Sequence, residues 1–230
     1  IQVVSEQDKD FCFLTNNSSH SSTFYAQKLR KMGLRDFPFH KIITSSQATI
    51  FYLSQMNPHP RVYLLGTREL EIEFLQANFV LVQKDPDFVV LGFDTGLTYQ
   101  KINQACQFIR SGVPFFATHP DLNCPTEEGP VIDAGSFIKA IEASTDRSPK
   151  IFGKPYPEMI EYILQRTKTK KEEVAIIGDR LYTDIAMGKK AGITTILVLT
   201  GETKEEDVKN SPWQPDFIFT SLEEINNHLK

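Results

Sequence analysis

The stretch Gly178-Asp179-Arg180-Leu181-Tyr182-Thr183-Asp184 sets two carboxylates five positions apart, directly after the apolar run Val174-Ala175-Ile176-Ile177. An all-apolar run ended by glycine and followed by a helical pattern reads as a buried parallel strand that passes through a loop into a helix. Asp179 then stands at the strand tip and Asp184 in the first helical turn. Strand tips of open α/β sheets are where ligands bind. Two hard oxygen donors at such a place suit Mg²⁺.

Two further polar clusters follow apolar segments in the same way. Thr15-Asn16-Asn17-Ser18-Ser19 comes after Phe11–Leu14, and Gly153-Lys154-Pro155 comes after Ile151-Phe152. Parallel strands of one sheet would bring all three clusters to its carboxyl edge, within reach of one phosphate-sized ligand. Thr15 offers a hydroxyl, and the turn after it offers backbone N–H groups at a helix start, an anion cradle. Lys154 adds the positive charge that neutralises phosphate oxygens, and the carboxylates hold the metal that bridges to the same group. Each cluster also has a plain reading: a polar helix-capping turn, a solvated lysine, an acid at a helix start. The order and spacing of all three favour the chemical one.

The elements that must position these residues alternate between strand and helix nearly throughout, the mark of an α/β fold. Phe11–Thr15 and Ile42–Thr44 read as strands, with a helix between them that runs to Met32 and stops at Gly33. Gln47–Met56 reads as a helix, and Asn57-Pro58-His59-Pro60 as a hinge. Strands are then expected at 61–65, 79–82, 87–91 and 114–118 and helices at 68–77, 98–110 and 136–143, with a Pro-rich loop reaching Pro130. After a boundary near Thr145–Pro149 come a helix with Pro157 early in it, strands 174–177, 194–199 and 217–219, and helices opened by Thr203-x-x-Glu206 and Ser221-x-x-Glu224. The expected fold is a doubly wound, mostly parallel α/β core, residues 1–59 and 148–230, interrupted by an inserted α/β domain, residues 60–147.

Bulk properties agree with that reading. With 230 residues, 40% apolar and 23% charged, the chain can bury a real core. A net charge of −4 and a pI near 5.8 give no reason to expect nucleic acid or an anionic membrane as partner. No apolar run approaches the roughly 18 residues of a membrane span. Cys12, Cys106 and Cys124 are scattered over strand, helix and loop, which argues for free thiols and a cytoplasmic setting. Oligomeric state is open, a homo-oligomer included.

Leu14-Thr15-Asn16-Asn17, Gly153-Lys154-Pro155 and Gly178–Asp184 together resemble motifs II, III and IV of the haloacid dehalogenase-like hydrolases. The insert between the first two matches the position of a C2-type cap, as in the NagD and p-nitrophenylphosphatase-like branch. The resemblance implies a Mg²⁺-dependent phosphatase acting on a small phosphorylated metabolite through a covalent aspartyl-phosphate. It implies that Thr15 and Asn16 bind the transferring phosphoryl group, with Thr15 and Lys154 serving catalysis. Lys154 balances charge, and Asp179 and Asp184 serve the metal. It also implies that His119, Asp121 and Cys124, on the loop after the strand 114–118, select the substrate.

One part of the pattern is not in the text. The family's Asp-x-Asp-Gly strand, which carries the nucleophile, should precede Thr15, where the only carboxylates are Glu6, Asp8 and Asp10 in a polar stretch. The nucleophile is therefore expected N-terminal to Ile1; the alternative is a truncated or inactive phosphate-binding protein of the same fold. Gly92-Phe93-Asp94-Thr95-Gly96 imitates that strand end but has one aspartate where two are needed, and reads as a turn. A P-loop at Gly153-Lys154 fails because Ser148 and Pro155 occupy positions that need glycine and Ser/Thr. His20, His40, His59 and His228 show no ligand spacing.

Overall fold

The computed structural model describes residue 4 and residues 6–7, 9–34 and 37–228, so Asp8 lies outside the described residues. Two compact units form, one from Cys12–Gly153 and one from Lys154–Lys230 with Ile1–Phe11.

The first unit begins with β1 (Phe13–Thr15), α1 (Ser22–Lys31), β2 (Ile42–Thr44) and α2 (Ser45–Met56). It continues through β3 (Arg61–Leu65), α3 (Arg68–Gln76), β4 (Val80–Leu81), β5 (Phe88–Leu91), α4 (Tyr99–Arg110) and β6 (Phe115–Ala117). The hairpin β7 (Asn123–Thr126) and β8 (Gly129–Ile132), then α5 (Ala134–Thr145) and β9 (Lys150–Ile151), complete it. β1 pairs with β2 in parallel, Thr15 opposite Thr44. A second parallel sheet has the order β4-β3-β5-β6-β9. Helices begin where the sequence offers hydroxyl caps: Ser21 accepts from Phe24 N–H, Thr67 from Leu70 and Thr98 from Lys101.

The second unit runs α6 (Glu158–Thr167), β10 (Ala175–Gly178), a π-turn (Leu181–Ile185), α7 (Ala186–Ala191) and β11 (Thr194–Val198). It ends with α8 (Glu205–Asn210), β12 (Phe217–Phe219) and α9 (Leu222–His228). Its sheet is parallel with the order β10-β11-β12. The mostly parallel α/β architecture expected from the alternation of elements is therefore present. Among the described residues, no helix is long and apolar enough to cross a membrane.

Several expectations need correction. Among the described residues β1, β9 and β10 belong to three different sheets, not one. The Ile151 segment pairs with β6 because Phe152, fully buried, stacks with Tyr52 at 5.2 Å and with Phe116 at 5.8 Å between ring centres. The Pro-rich loop contains the β7–β8 hairpin, in which Pro125 and Pro130 face each other. A two-stranded ribbon is all edge, so prolines cost it no further sheet partner. Thr203 does not cap α8. Lys204 is the N-cap, and its backbone N–H donates to Asp207. Ser221 does accept from Glu224 N–H, but the Glu224 carboxylate reaches back to Thr220 instead.

Packing in the first unit runs across the hinge segment 57–60. Leu53 of α2 shares one buried cluster with Val62, Leu70, Phe74, Val90, Phe116 and Phe152. Phe152 holds β9 against this cluster and so sets the exit of the chain toward Lys154. Phe152→Ala is expected to cost about 3–5 kcal/mol, the range for large aromatic truncations in a core. Urea unfolding with an unchanged slope checks it.

Candidate active site

In the second unit, β10 ends at Gly178, and the chain then makes a wide turn before α7. Ile185 N–H donates to Arg180 C=O five residues back, and Ala186 N–H does the same to Leu181. This π-turn buries Asp184, whose Oδ1 lies 2.8 Å from Lys154 Nζ, with side-chain exposures of 8% and 15%. A carboxylate so withdrawn from water needs a paired cation, and Lys154 is that cation.

Both acids rest against glycines. A Cβ on Gly178 would stand 2.2 Å from the Asp184 Cβ, and one on Gly201 would stand 2.0 Å from Asp179 Oδ2. The absence of side chains there lets each carboxylate lie against the backbone. Asp179 Oδ2 accepts from Glu202 N–H at 2.9 Å, and Asp179 C=O accepts from Thr203 N–H. Arg180 and Tyr182 both bind Glu202, at 2.7 and 2.6 Å, which ties the loop before α8 to the loop after β10. Asp179 is anchored through Oδ2, and Asp184 through Oδ1 with a longer 3.4 Å bond from Thr183 to its Oδ2. Carboxylate oxygens with lone pairs left over are a donor set that fits a hard divalent cation.

In the first unit, the turn after β1 is fixed residue by residue. The Thr15 side chain is hydrogen-bonded to the Tyr25 phenol, which burial pushes up to about 12 while the Thr15 bond works against the rise. Asn16, 5% exposed, donates from Nδ2 to both Asp121 oxygens at 3.1 Å, and its C=O accepts from the Ser45 hydroxyl. Asn17 donates to Cys124 Sγ at 3.5 Å, while its Oδ1 accepts from Ser19 N–H and Oγ, an Asx turn. Ser18 Oγ bridges Thr118 and Phe93 N–H. Gly153 closes against the same turn: a Cβ there would meet Thr118 C=O at 2.5 Å and Asn16 Oδ1 at 2.8 Å.

The loop after β6 thus reaches the Asn16 turn through Asp121 and Cys124. His119 is fully buried, with Nδ1 3.7 Å from Asp121 and Nε2 3.6 Å from Asp133. Asp133 caps α5 through Ala134 N–H. Asp94 behaves as a turn residue, accepting from Gly96 N–H and pairing with Lys101. Sequence reading missed Tyr25, Asp133 and Glu202. Only Asp133 carried a local signal, an acid at a helix start; Tyr25 meets Thr15 from ten positions on, and Glu202 meets Asp179 from twenty-three.

Burial pushes the Asp133 carboxyl up to about 7; the Ala134 N–H opposes that rise and the Asp121 charge adds to it. The folded chain therefore holds this proton more tightly than the unfolded chain. The stability it contributes is whole below the ordinary carboxylate range and is lost as pH rises through about 7. Asp133→Asn removes the titration. Its melting temperature is expected to gain on that of the parent chain between about pH 4 and 7, the window set by the two carboxyl values. Parallel melting curves across that range would count against the assignment.

The chain is similar to known proteins over most of its length. A haloacid dehalogenase-like hydrolase model matches residues 1–80, and a HAD-hydrolase-like model matches residues 151–225. The acid sugar phosphatase of Staphylococcus aureus is 35% identical over 219 residues, covering 95% of this chain and 84% of that protein. The solved 4-nitrophenylphosphatase of Thermotoga maritima is 45% identical with a TM-score of 0.95, covering 100% of this chain and 88% of that one. A solved protein of the nagD kind is 47% identical with a TM-score of 0.87, covering 94% and 85%. The chain belongs to the haloacid dehalogenase-like hydrolase family, in its NagD and p-nitrophenylphosphatase-like branch of phosphatases.

Proposed function

We propose that the chain is the greater part of a cytoplasmic, Mg²⁺-dependent phosphatase that hydrolyses small phosphate monoesters through an aspartyl-phosphate. The nucleophilic aspartate lies N-terminal to Ile1. The observation that carries this reading is the Lys154–Asp184 pair at 2.8 Å, beside an Asp179 anchored at the tip of β10. Residues 1–59 and 148–230 form the catalytic core in this reading, and residues 60–147, with the β3–β6 strands, form its cap.

Asp179 and Asp184 hold the metal, which when bound supplies positive charge to the phosphoryl oxygens. Lys154 pairs with the Asp184 carboxylate and adds a second positive charge where negative charge develops. The Thr15 hydroxyl and the Asn16 amide orient the phosphoryl group, each held in place by its own partner, Tyr25 or Asp121. The attacking carboxylate forms the bond to phosphorus as the ester oxygen leaves with a proton. Water then cleaves the acyl phosphate and releases inorganic phosphate, so one high barrier becomes two lower ones. Family membership also supports a further parallel strand. Among the described residues β1 and β10 each pair with a single strand in their sheets.

The test uses protein that carries its N-terminal segment, with p-nitrophenyl phosphate as substrate. Chelation is expected to abolish turnover and Mg²⁺ to restore it. Asp179→Ala and Lys154→Met are each expected to lower kcat by at least about 100-fold, the order seen when one preorganised charge partner is lost. Turnover that survives both chelation and Asp179→Ala would sink the metal assignment. Phosphate binding without turnover in such protein would favour the inactive phosphate-binding alternative.

A further inference from the structure

We propose that Asp133 and His119 are positioning residues: Asp133 holds the His119 ring, the ring holds Asp121, and Asp121 fixes the orientation of the Asn16 amide. The inference rests on the reading of Asn16 as a phosphoryl-binding residue. It changes the role of His119, which the sequence suggested as a substrate contact.

Burial makes the first argument. His119 has no exposed surface and Asp133 is 2% exposed, so neither side chain reaches a substrate. Asp121 is the member of the series with surface left, at 18% of its side chain. A buried imidazole flanked by acids is held for what it does to its neighbours.

Geometry makes the second. The two ring nitrogens face different carboxylates, Nδ1 toward Asp121 at 3.7 Å and Nε2 toward Asp133 at 3.6 Å. The three residues have ligand atoms within 4.8 Å of one another, as a metal site also would. In this compact cluster each ring nitrogen has its own acid beside it, which fixes the ring orientation and couples the charge state of Asp133 to its neighbours.

The far end of the series is Asn16. Both Asp121 oxygens accept from its Nδ2 at 3.1 Å, which turns its Oδ1 the other way, toward the Gly153 backbone. With Asp121 displaced, the amide could rotate and exchange its donor and acceptor ends. The protonation of Asp133, which burial moves into the neutral range, sets how firmly the ring is held. Tyr25 of α1 and Cys124 of β7 are the other titratable groups turned toward this cluster.

The test is Asp133→Asn, which keeps size and shape, read by ¹⁵N–¹H spectra of the Asn16 side-chain amide in the chain described above. In the parent chain that amide is expected to shift with pH with a midpoint near neutrality, and in Asp133→Asn the shift is expected to vanish. In protein carrying its N-terminal segment, the substitution is expected to lower kcat for p-nitrophenyl phosphate about tenfold, as loss of an orienting carboxylate does elsewhere. The neutral limb of the pH profile is expected to go with it. His119→Asn, monitored for folding by melting temperature, should remove the same amide titration. Asn16 signals that titrate identically in the parent and Asp133→Asn would overturn the proposal. So would stoichiometric Zn²⁺ shifting the His119 ring signals, which would mark a chelate. A positive amide result in protein that proves to have no phosphatase turnover would leave the relay standing and remove only the phosphatase reading.

Discussion

Carboxylates that leave water must be answered by charge or by hydrogen bonds, and this constraint organises the chain. Asp184 is answered by Lys154 at 2.8 Å. The pair unites the first residue after Gly153 with a turn thirty positions further on. Removing one partner of such a pair leaves a buried, uncompensated charge, which costs about 3–5 kcal/mol. Stability alone therefore asks for both residues together.

The second group of acids is answered differently. Asp121 is satisfied by an amide, and Asp133 by a backbone N–H and the His119 ring nearby. Among the described residues, no lysine or arginine pairs with either carboxylate there. Burial brings the Asp133 carboxyl up to about 7, so the charge of this cluster changes near neutral pH.

Much of this was legible in the residues. Asp179, Asp184 and Lys154 stood at the ends of apolar runs, and strand-end logic is local enough to be read from spacing. The parallel α/β class followed from the alternation of elements. Contacts between distant residues were not legible: Asn16 meets Asp121 across 105 positions, and no periodicity encodes that. The β7–β8 hairpin was hidden by prolines, which a free-standing ribbon tolerates and a central strand does not. The pairing of Ile151 with β6 was hidden because two residues of strand carry almost no pattern, and the stacking of Phe152 decides it.

The π-turn at Leu181–Ile185 gives the region a sensitivity of another kind. Each residue of an ordinary helix advances the phase by about 100°. Shortening this segment by one residue would convert the wide turn to α-helix and swing Asp184 by roughly that angle away from Lys154. A side chain in the turn can change and leave the phase intact, but the number of residues cannot. Insertions and deletions here should therefore be purged more strictly than substitutions, because the information is carried by chain length as well as by residue type.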